Sequence, residues 1–324
     1  MLETKYPEGA IKCLDKGFIR LVDSMGSDAA IVQAARVSYG KGTTKLNRDR
    51  ALIRYLLRHR HSTPFEMVEL KFHAKMPIFV ARQWIRHRTA NINEYSLRYS
   101  EAQHDFYIPE MQAIHFQSKF NKQGRDEVEV PDKLKQKVVE YFSEISEKTY
   151  SIYEELNAAG IARELARGIL PVNLYTEWYW KNDLHNIFHF LRLRMDEHAQ
   201  YEIRVFANAM ASLVKKIVPI AYEAFEDYNL NGMYFSNLEK KILSSRLPKR
   251  IIEDLKDEVI YQIIASLNAT KKRSKNELYK LYRQNGGIDS EQDFAIKFKA
   301  ATSETGNVFE LREFLQKLNQ FKVS

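Results

Sequence analysis

The stretch from Arg86 to Arg98, RHRTANINEYSLR, restricts how this chain can fold more than any other feature of its sequence. Within thirteen residues it holds three arginines, a histidine, two asparagines, a glutamate and a serine. A charged side chain that is buried without a partner costs several kcal/mol of desolvation free energy, so a packed core excludes this mixture. The stretch is therefore predicted to be either a solvated loop or a binding site.

The residues before this stretch predict a rigid support for it. Between Val68 and Met76, apolar side chains alternate with charged and polar ones, which is the pattern of a half-buried strand. Pro77 suits the first turn of a helix, where its missing N–H costs nothing. That helix is predicted to run from Ile78 to about His87, so the charged stretch begins at a helix end held by a strand.

The rest of the chain alternates between predicted strands and helices. Strands are predicted at residues 17–24 and 172–180, and helices at 28–38, at 48–60 after an Asn47 cap, at 134–156 and at 162–169. A last helix is predicted from Asn182 or Asp183 to about Ile217, with Arg194 and His198 on one stripe and His185 and His189 on another. Residues 103–130 are polar and predicted as a loop. Because strands and helices interleave without an internal repeat, the predicted fold class is α/β in the broad (α+β) sense.

Composition narrows the class of protein. A single cysteine, Cys13, excludes an internal disulfide framework, and no apolar run approaches the roughly 18 to 20 residues of a membrane span. The N-terminus lacks the apolar core of a signal peptide, so a cytoplasmic setting is expected. The net charge of +8 suggests an anionic partner, but residues 235–324 carry 17 Lys and Arg against 12 Asp and Glu, which is +5 of that total. The remainder is nearly balanced, which disfavours a nucleic-acid groove along the whole chain.

Three other kinds of site find little support in the residues: a metal site, a glycine-rich phosphate loop and an activated nucleophile. His185 and His189 have the spacing of two metal ligands on a helix, but the glutamate of an HExxH motif and a nearby cysteine are missing. Neither a GxGxxG nor a GxxxxGK[ST] loop occurs, so arginines must hold any phosphates. Cys13 lacks the cationic surroundings that activate a thiol, and a Ser96 nucleophile would need a base that the sequence does not reveal. Ser96 is therefore predicted to form hydrogen bonds.

The order of residues in the stretch carries a resemblance to a known family. RHRTANINEYSLR resembles RHRxxSxNExSxR, the signature of the flavin-dependent thymidylate synthases, with Asn91 where the family usually has a serine. Four more segments look like family segments in the family's order: HSTPFE at 61–66, PIFVARQW at 77–84, ARGILPVNLYT at 166–176 and LRLRMDEHAQYEI at 191–203. Together they cover most of residues 11 to about 230, whereas the last ninety or so residues resemble nothing known.

The resemblance implies a fold, a reaction and partners. It implies the fold of that family, a mixed sheet with long helices, over residues 1–231, followed by a helical C-terminal extension of unknown role over 232–324. The implied enzyme converts dUMP to dTMP with 5,10-methylenetetrahydrofolate as carbon donor and NADPH as reductant through FAD, as a homotetramer with shared active sites. The alternative is a nucleic-acid-binding protein that uses the arginine-rich stretch and the basic C-terminus. A yellow purified protein would favour the enzyme.

The resemblance also implies roles for residues. Arg194 matches the arginine that promotes ionisation at N3 of dUMP, and His61 matches a histidine near the folate and flavin. The positions that match FAD contacts are Thr63, Arg86, His87, Arg88, Thr89, Glu94, Asp183, Leu184, His185 and His189. The positions that match dUMP contacts are Gln83, Trp84, Ile85, Arg86, Glu94, Tyr95, Ser96, Leu97, Arg98, Arg167 and Arg194.

The chain departs from the family pattern at one FAD segment. Many members have Asn-Ala-Arg and a later Asn there, where this chain has Asp183, Leu184, His185 and His189. An Asp183 carboxylate facing a phosphate would repel it. Asp183 is therefore expected to cap the helix, while its backbone N–H or His185 makes the flavin contact. His198 is expected either near Arg194 or as a buried helix histidine.

Overall fold

The computed structural model describes residues 6–37, 46–119, 124–270, 272–300 and 308–320. The chain divides into two compact units, Met1–Gly232 and Met233–Ser324. The strands of the first unit are β1 (Ile11–Cys13), β2 (Gly17–Met25), β3 (Glu69–Pro77), β4 (Asn91–Glu94) and β5 (Tyr175–Asp183). Its helices are α1 (Asp28–Val37), α2 (Leu46–Arg58), α3 (Thr63–Glu66), α4 (Ile78–Trp84), α5 (Asp132–Ala158), α6 (Arg163–Ala166), α7 (Leu184–Arg194), α8 (Tyr201–Ile217) and α9 (Pro219–Phe225).

The five strands form one sheet in the order β1-β2-β3-β5-β4. The predicted combination of strands and helices is confirmed, but every pairing among these strands is antiparallel, so the expectation of a mixed sheet is wrong. In the centre of the sheet, strands distant in sequence meet: β3 pairs with β5 from Glu69 opposite Asp183 to Pro77 opposite Tyr175. Of this central pair, β3 leads directly into α4, and β5 pairs with β4 on its other side.

The core of the first unit lies on one face of the sheet. Phe72 on β3 and Trp180 on β5 are both fully buried, as the alternating pattern of β3 predicts. Trp84, at the end of α4, stacks on Phe190 of α7 with ring centroids 4.9 Å apart and contacts Phe206 of α8. Burying an aromatic side chain of this size stabilises the fold by roughly 1.5–3 kcal/mol. The end of α4 is therefore fixed against the two helices that cover the sheet.

The helix predicted from Asp183 to Ile217 is interrupted. It ends at Arg194, and α8 begins only at Tyr201. In the link, the Asp196 carboxylate accepts the backbone N–H of His198 at 2.8 Å, a local turn that competes with continued helix. The prediction that Arg194 and His198 share one helical stripe is therefore wrong, and His198 is exposed.

The observed ends of the other helices and strands lie closer to their predicted positions. The helix α4 ends at Trp84 rather than near His87, and Asn91–Glu94 of the charged stretch form β4, where the sequence patterns predict no strand. The strand predicted from residue 172 begins at Tyr175. The helix expected after an Asn47 cap begins at Leu46. The segment 103–130 is irregular apart from a short helical turn at Met111–Ala113, as predicted for the residues of it that the structure describes.

The second unit is helical. Its helices are α10 (Asn237–Arg246), α11 (Lys249–Thr270), α12 (Lys275–Gln284), α13 (Glu291–Ala300) and α14 (Val308–Gln320). Tyr261, Tyr282 and Phe294 form the centre of its own core. In the described part of the chain, no helix is long and apolar enough to cross a membrane.

Candidate functional site

The charged stretch 86–98 lies across the end of α4 and the edge strand β4. We call residues 86–98 the signature segment. Its strand portion pairs with β5 in the register Asn91 opposite Lys181 and Glu94 opposite Trp178. Beyond β4, the backbone N–H of Tyr95 donates to the Glu177 carbonyl at 2.8 Å, which continues the contact with β5. The signature segment is thus anchored at one end by α4 and along its middle by β5, so its side chains project from a rigid base.

Two polar residues of β5 hold side chains of the signature segment. Thr176 Oγ1 donates to Glu94 Oε1 at 2.7 Å, and Asn182 Nδ2 donates to Thr89 Oγ1 at 3.3 Å. Sequence analysis missed both residues as site residues. A signal was present, because Thr176 and Asn182 occupy the strand face that otherwise carries Trp178 and Trp180. Polar groups at apolar-facing positions need partners, and here the partners belong to the signature segment.

The signature segment also meets the end of α7. Arg194 Nε donates to His87 Nε2 at 3.1 Å, although the two residues are 107 positions apart in sequence. Because a guanidinium nitrogen can only donate, Nε2 of His87 must be the unprotonated nitrogen, and the ring proton lies on Nδ1. The ring of His87 is also packed edge-on against Phe190, with centroids 5.0 Å apart. Its backbone N–H donates to the Trp84 carbonyl, so both ends of the residue are fixed.

The surroundings of His87 keep its ring neutral. Burial, followed by the positive charge of Arg194 and by the nearby His189, lowers the pKa of His87 to about 4. The pKa of His189 is also lowered, chiefly by burial and then by Arg192. Burial lowers the pKa of Arg194 as well, but a guanidinium stays charged at neutral pH. The site therefore pairs a permanent cation with a neutral acceptor.

Several polar groups of the site have no partner in the part of the chain that the structure describes. Among the described residues, neither Arg86 nor Arg88 forms a hydrogen bond or ion pair through its guanidinium, and both are exposed. The Arg98 guanidinium lies over the ring of Tyr99, 5.3 Å from its centroid. Within the same described ranges, Gln83 Oε1 is a buried acceptor without a donor. Unpaired guanidinium groups with a buried amide oxygen are the donor and acceptor set that an anionic ligand with N–H groups would satisfy.

The start of α7 is arranged differently from what was expected. The Asp183 carboxylate caps the helix by accepting the Asn186 N–H at 2.9 Å, as predicted. Its own backbone N–H, however, donates to Asn182 Oδ1 at 3.0 Å, so the expectation that this group contacts the flavin is not supported. Leu184 is fully buried, and its N–H donates to the Val68 carbonyl. His185 and His189 are the exposed side chains of this segment.

Other predicted residues lie at the border of this arrangement. Thr63 is the first residue of α3, whose Phe65 contacts Phe188 of α7. The exposed His61 lies just before α3, with its ring near Tyr55. In the parts of the chain that the structure describes, the side chains of His61 and Thr63 do not form hydrogen bonds with the signature segment.

The other end of the signature segment approaches α6. Arg163 donates to the Tyr99 carbonyl at 3.2 Å and pairs with Glu101, which places the start of α6 beside the residues that follow the signature segment. Arg167 is half-buried one helical turn later. Ser96 Oγ accepts the Arg98 N–H at 3.4 Å, which is a hydrogen-bonding role.

Three residues predicted in the dUMP segments have apolar side chains. Trp84 is fully buried in the core, and Leu97 packs against a small apolar cluster that includes Ala102 and Phe106. Ile85 is 46% exposed. Any polar contact of Ile85 and Leu97 with a ligand must therefore come from their backbone, whereas Trp84 also carries a buried indole N–H that has no partner among the described residues.

Cysteine and metal chemistry have little support in this arrangement. Cys13 is 1% exposed on β1, and burial raises the pKa of its thiol to about 12. A thiol that stays protonated at neutral pH is a poor nucleophile. Across the described ranges, no group of three or more His, Cys, Asp or Glu side chains is arranged to hold a metal ion.

The chain is similar in sequence to a known protein family and to several of its members. The model of the family described as thymidylate synthase complementing protein matches residues 20–220. The flavin-dependent thymidylate synthase of Rickettsia typhi is 52% identical over 285 residues, which cover 84% of this chain and 93% of that protein. The flavin-dependent thymidylate synthase of Wolbachia pipientis wMel is 56% identical over 232 residues, which cover 72% of this chain and 81% of that protein.

Solved structures are similar as well. A crystal structure of a UMP/dUMP methylase, PolB from Streptomyces cacaoi bound with 5-Br dUMP, superposes with a TM-score of 0.62 at 34% sequence identity. The match covers 68% of this chain and 99% of that chain. The same protein bound with 5-Br UMP gives a TM-score of 0.61.

Proposed function

The chain belongs to the flavin-dependent thymidylate synthase family, and on this premise we propose that it converts dUMP to dTMP by reductive methylation. The observation that carries the proposal is the contact of Arg194 Nε with His87 Nε2 at 3.1 Å, which joins a guanidinium to the signature segment. Carbon–carbon bond formation at C5 of uracil requires electron density at C5, and negative charge develops along the N3 and O4 side. A guanidinium stabilises that charge because it stays charged and donates in a planar fork.

FAD is the proposed cofactor, and the residues present fit it. The guanidinium groups of Arg86 and Arg88, which have no partner among the described residues, supply positive charge for its phosphates, and both oxygens of the Asp183 carboxylate are engaged at the start of α7 by Asn186. The residues proposed to hold FAD are Thr63, Arg86, Arg88, Thr89, Glu94, His185 and His189. When bound, FAD supplies the reducing equivalents, with NADPH as reductant and 5,10-methylenetetrahydrofolate as carbon donor. His61 is proposed to lie near the folate and flavin.

dUMP is proposed to bind through the end of α4, the second half of the signature segment and α6. Arg98 and Arg167 carry the charge that a nucleotide phosphate requires. Gln83 Oε1, a buried acceptor without a donor in the described chain, suits a uracil N–H. The backbone of residues 84–85 and 95–97 and the Glu94 carboxylate, held by Thr176, complete the proposed nucleotide contacts. Arg194 is the proposed catalytic residue, and its role is to stabilise charge on the ring.

The organisation of the whole chain is also a proposal. Residues 1–231 are proposed to be the catalytic domain, since the family match at 20–220 lies within them. Residues 232–324 are proposed to be an accessory helical domain. Family membership supports a homotetramer with active sites shared between subunits. A cytoplasmic location stays a prediction.

The proposal is tested on the purified full-length chain. The protein should be yellow, with flavin absorbance near 450 nm, a rough value set by the cofactor itself. With dUMP, methylenetetrahydrofolate and NADPH it should form dTMP, and omission of any one of the three should abolish the product. A colourless protein that neither binds added FAD nor forms dTMP would overturn the proposal.

Replacement of Cys13 by alanine is expected to leave turnover nearly unchanged. The thiol is buried and protonated at neutral pH, and its sulfur donates to the Ile11 carbonyl at 3.6 Å rather than facing the signature segment. The measurement is the rate of dTMP formation by Cys13→Ala, with flavin content and the thermal unfolding midpoint as controls for folding. Loss of turnover in a folded, flavin-loaded variant would instead indicate a thiol mechanism.

A further inference from the structure

The hydrogen bond between Arg194 and His87 uses one specific atom of the guanidinium. Nε–H points at His87 Nε2, while in the described residues Nη1 and Nη2 of Arg194 have no hydrogen-bond partner. A guanidinium is planar, so fixing the direction of Nε–H fixes the plane in which the Nη groups donate. Arg194 is the last residue of α7, where its charge is also favoured by the helix dipole. The contact therefore sets the direction of the remaining donors.

His87, which accepts this hydrogen bond, is neutral, whereas a carboxylate in its place would carry a negative charge. Arginine in proteins is commonly paired with Asp or Glu, which neutralise its charge. His87 is 8% exposed, lies between Phe190 and His189, and accepts through a neutral nitrogen. A neutral acceptor orients the guanidinium without compensating its charge. The full positive charge then remains available to an anion that develops nearby.

We propose that His87 is the positioning residue of Arg194: its Nε2 lone pair fixes the guanidinium so that the two Nη groups face the ionising edge of the uracil of dUMP. This inference rests on the proposed function, because it names the device that orients the proposed catalytic group. It also changes the role that the resemblance implies for His87. The Nε2 atom of a ring that is 8% exposed is already occupied by Arg194, so this nitrogen acts through that residue and not on the flavin directly.

The first test compares two replacements of His87. His87→Phe keeps a flat ring but removes the acceptor, whereas His87→Gln places an amide oxygen near the position of Nε2. His87→Phe should lower kcat for dTMP formation by about tenfold at saturating dUMP, the scale of a misoriented catalytic group, with little change in flavin content. His87→Gln should recover most of that loss. The matched control is His104→Gln, an exposed histidine paired with Glu147, which should behave as wild type.

The second test is a double-mutant cycle with Arg194→Ala. If His87 acts only through Arg194, His87→Phe should have no further effect on kcat in the Arg194→Ala background. If His87 is a flavin ligand or serves only the fold, its loss should be additive, and FAD affinity or the unfolding midpoint should fall in both backgrounds. Additive effects would overturn the inference, as would a His87→Gln variant as slow as His87→Phe.

The two proposals fail in different ways. Absence of dTMP formation by the wild-type chain would overturn the proposed function. The same cycle measured on the dissociation constant of dUMP, followed by calorimetry, still reports whether the two residues are coupled. Independent effects of the two replacements on dUMP binding and on kcat would reject the positioning role while leaving the function intact.

Discussion

Replacement of Arg194 by lysine is expected to lower the rate of dUMP methylation by about a hundredfold at saturating dUMP, with flavin content unchanged. Lysine keeps the positive charge but presents a point charge on a flexible stem. It cannot donate to His87 Nε2 at 3.1 Å and at the same time offer two coplanar donors to the uracil ring. Because the charge on the ring develops only as C5 attacks, the loss should appear in kcat more than in dUMP binding.

The measurement separates two steps. NADPH-driven flavin reduction and dTMP formation are followed independently, and reduction should suffer less than methylation. Arg192→Lys is the matched control. Arg192 is exposed on the same helix, and its replacement makes the same chemical change two residues away from Arg194. Equal losses of Arg194→Lys in both steps would make Arg194 a general structural or nucleotide-anchoring residue.

Replacement of Arg88 by alanine is expected to weaken FAD binding by roughly tenfold or more. A charge-assisted hydrogen bond contributes about 1.5–3 kcal/mol to the free energy of binding. A loss of about 1.4 kcal/mol weakens the affinity tenfold. The Arg88 side chain is exposed and has no partner among the described residues, so its removal leaves no unpaired group behind. The loss of affinity should therefore report the contact to the ligand and not a damaged fold.

The control for Arg88 is Arg82→Ala. Arg82 is exposed on α4 and lies outside the signature segment, so Arg82→Ala removes the same charge from the same region without changing that segment. FAD dissociation constants are measured by fluorescence titration of the apoprotein, together with the thermal unfolding midpoints. An Arg88→Ala protein that purifies fully loaded with unchanged affinity, or an Arg82→Ala protein with the same loss, would contradict a specific contact.

Local patterns in the sequence located most elements of the first unit. The alternation before Pro77 predicts β3, and the spacing of apolar residues around 134–156 predicts α5, because side-chain burial follows the period of the backbone. The predicted element boundaries are wrong where a side chain takes a backbone hydrogen bond that a helix would otherwise use. Asp196 ends the helix that hydrophobic spacing alone carries through to Ile217, since its carboxylate accepts the His198 N–H.

The sequence by itself determined the family resemblance, the identity of the cations in the signature segment and their placement after a strand and a helix. Tertiary structure decided how those groups are used. The pairing of His87 with Arg194, across 107 residues, and that of Thr176 with Glu94 exist only because β5 and α7 pack beside the signature segment. Hydrogen-bond partners and proton positions depend on which groups folding brings within about 3 Å, and on how much water it removes from around them. Neither quantity is encoded in local spacing. The neutral state of His87, and the Arg194 donors that have no partner within the described residues, therefore follow only from the packed chain.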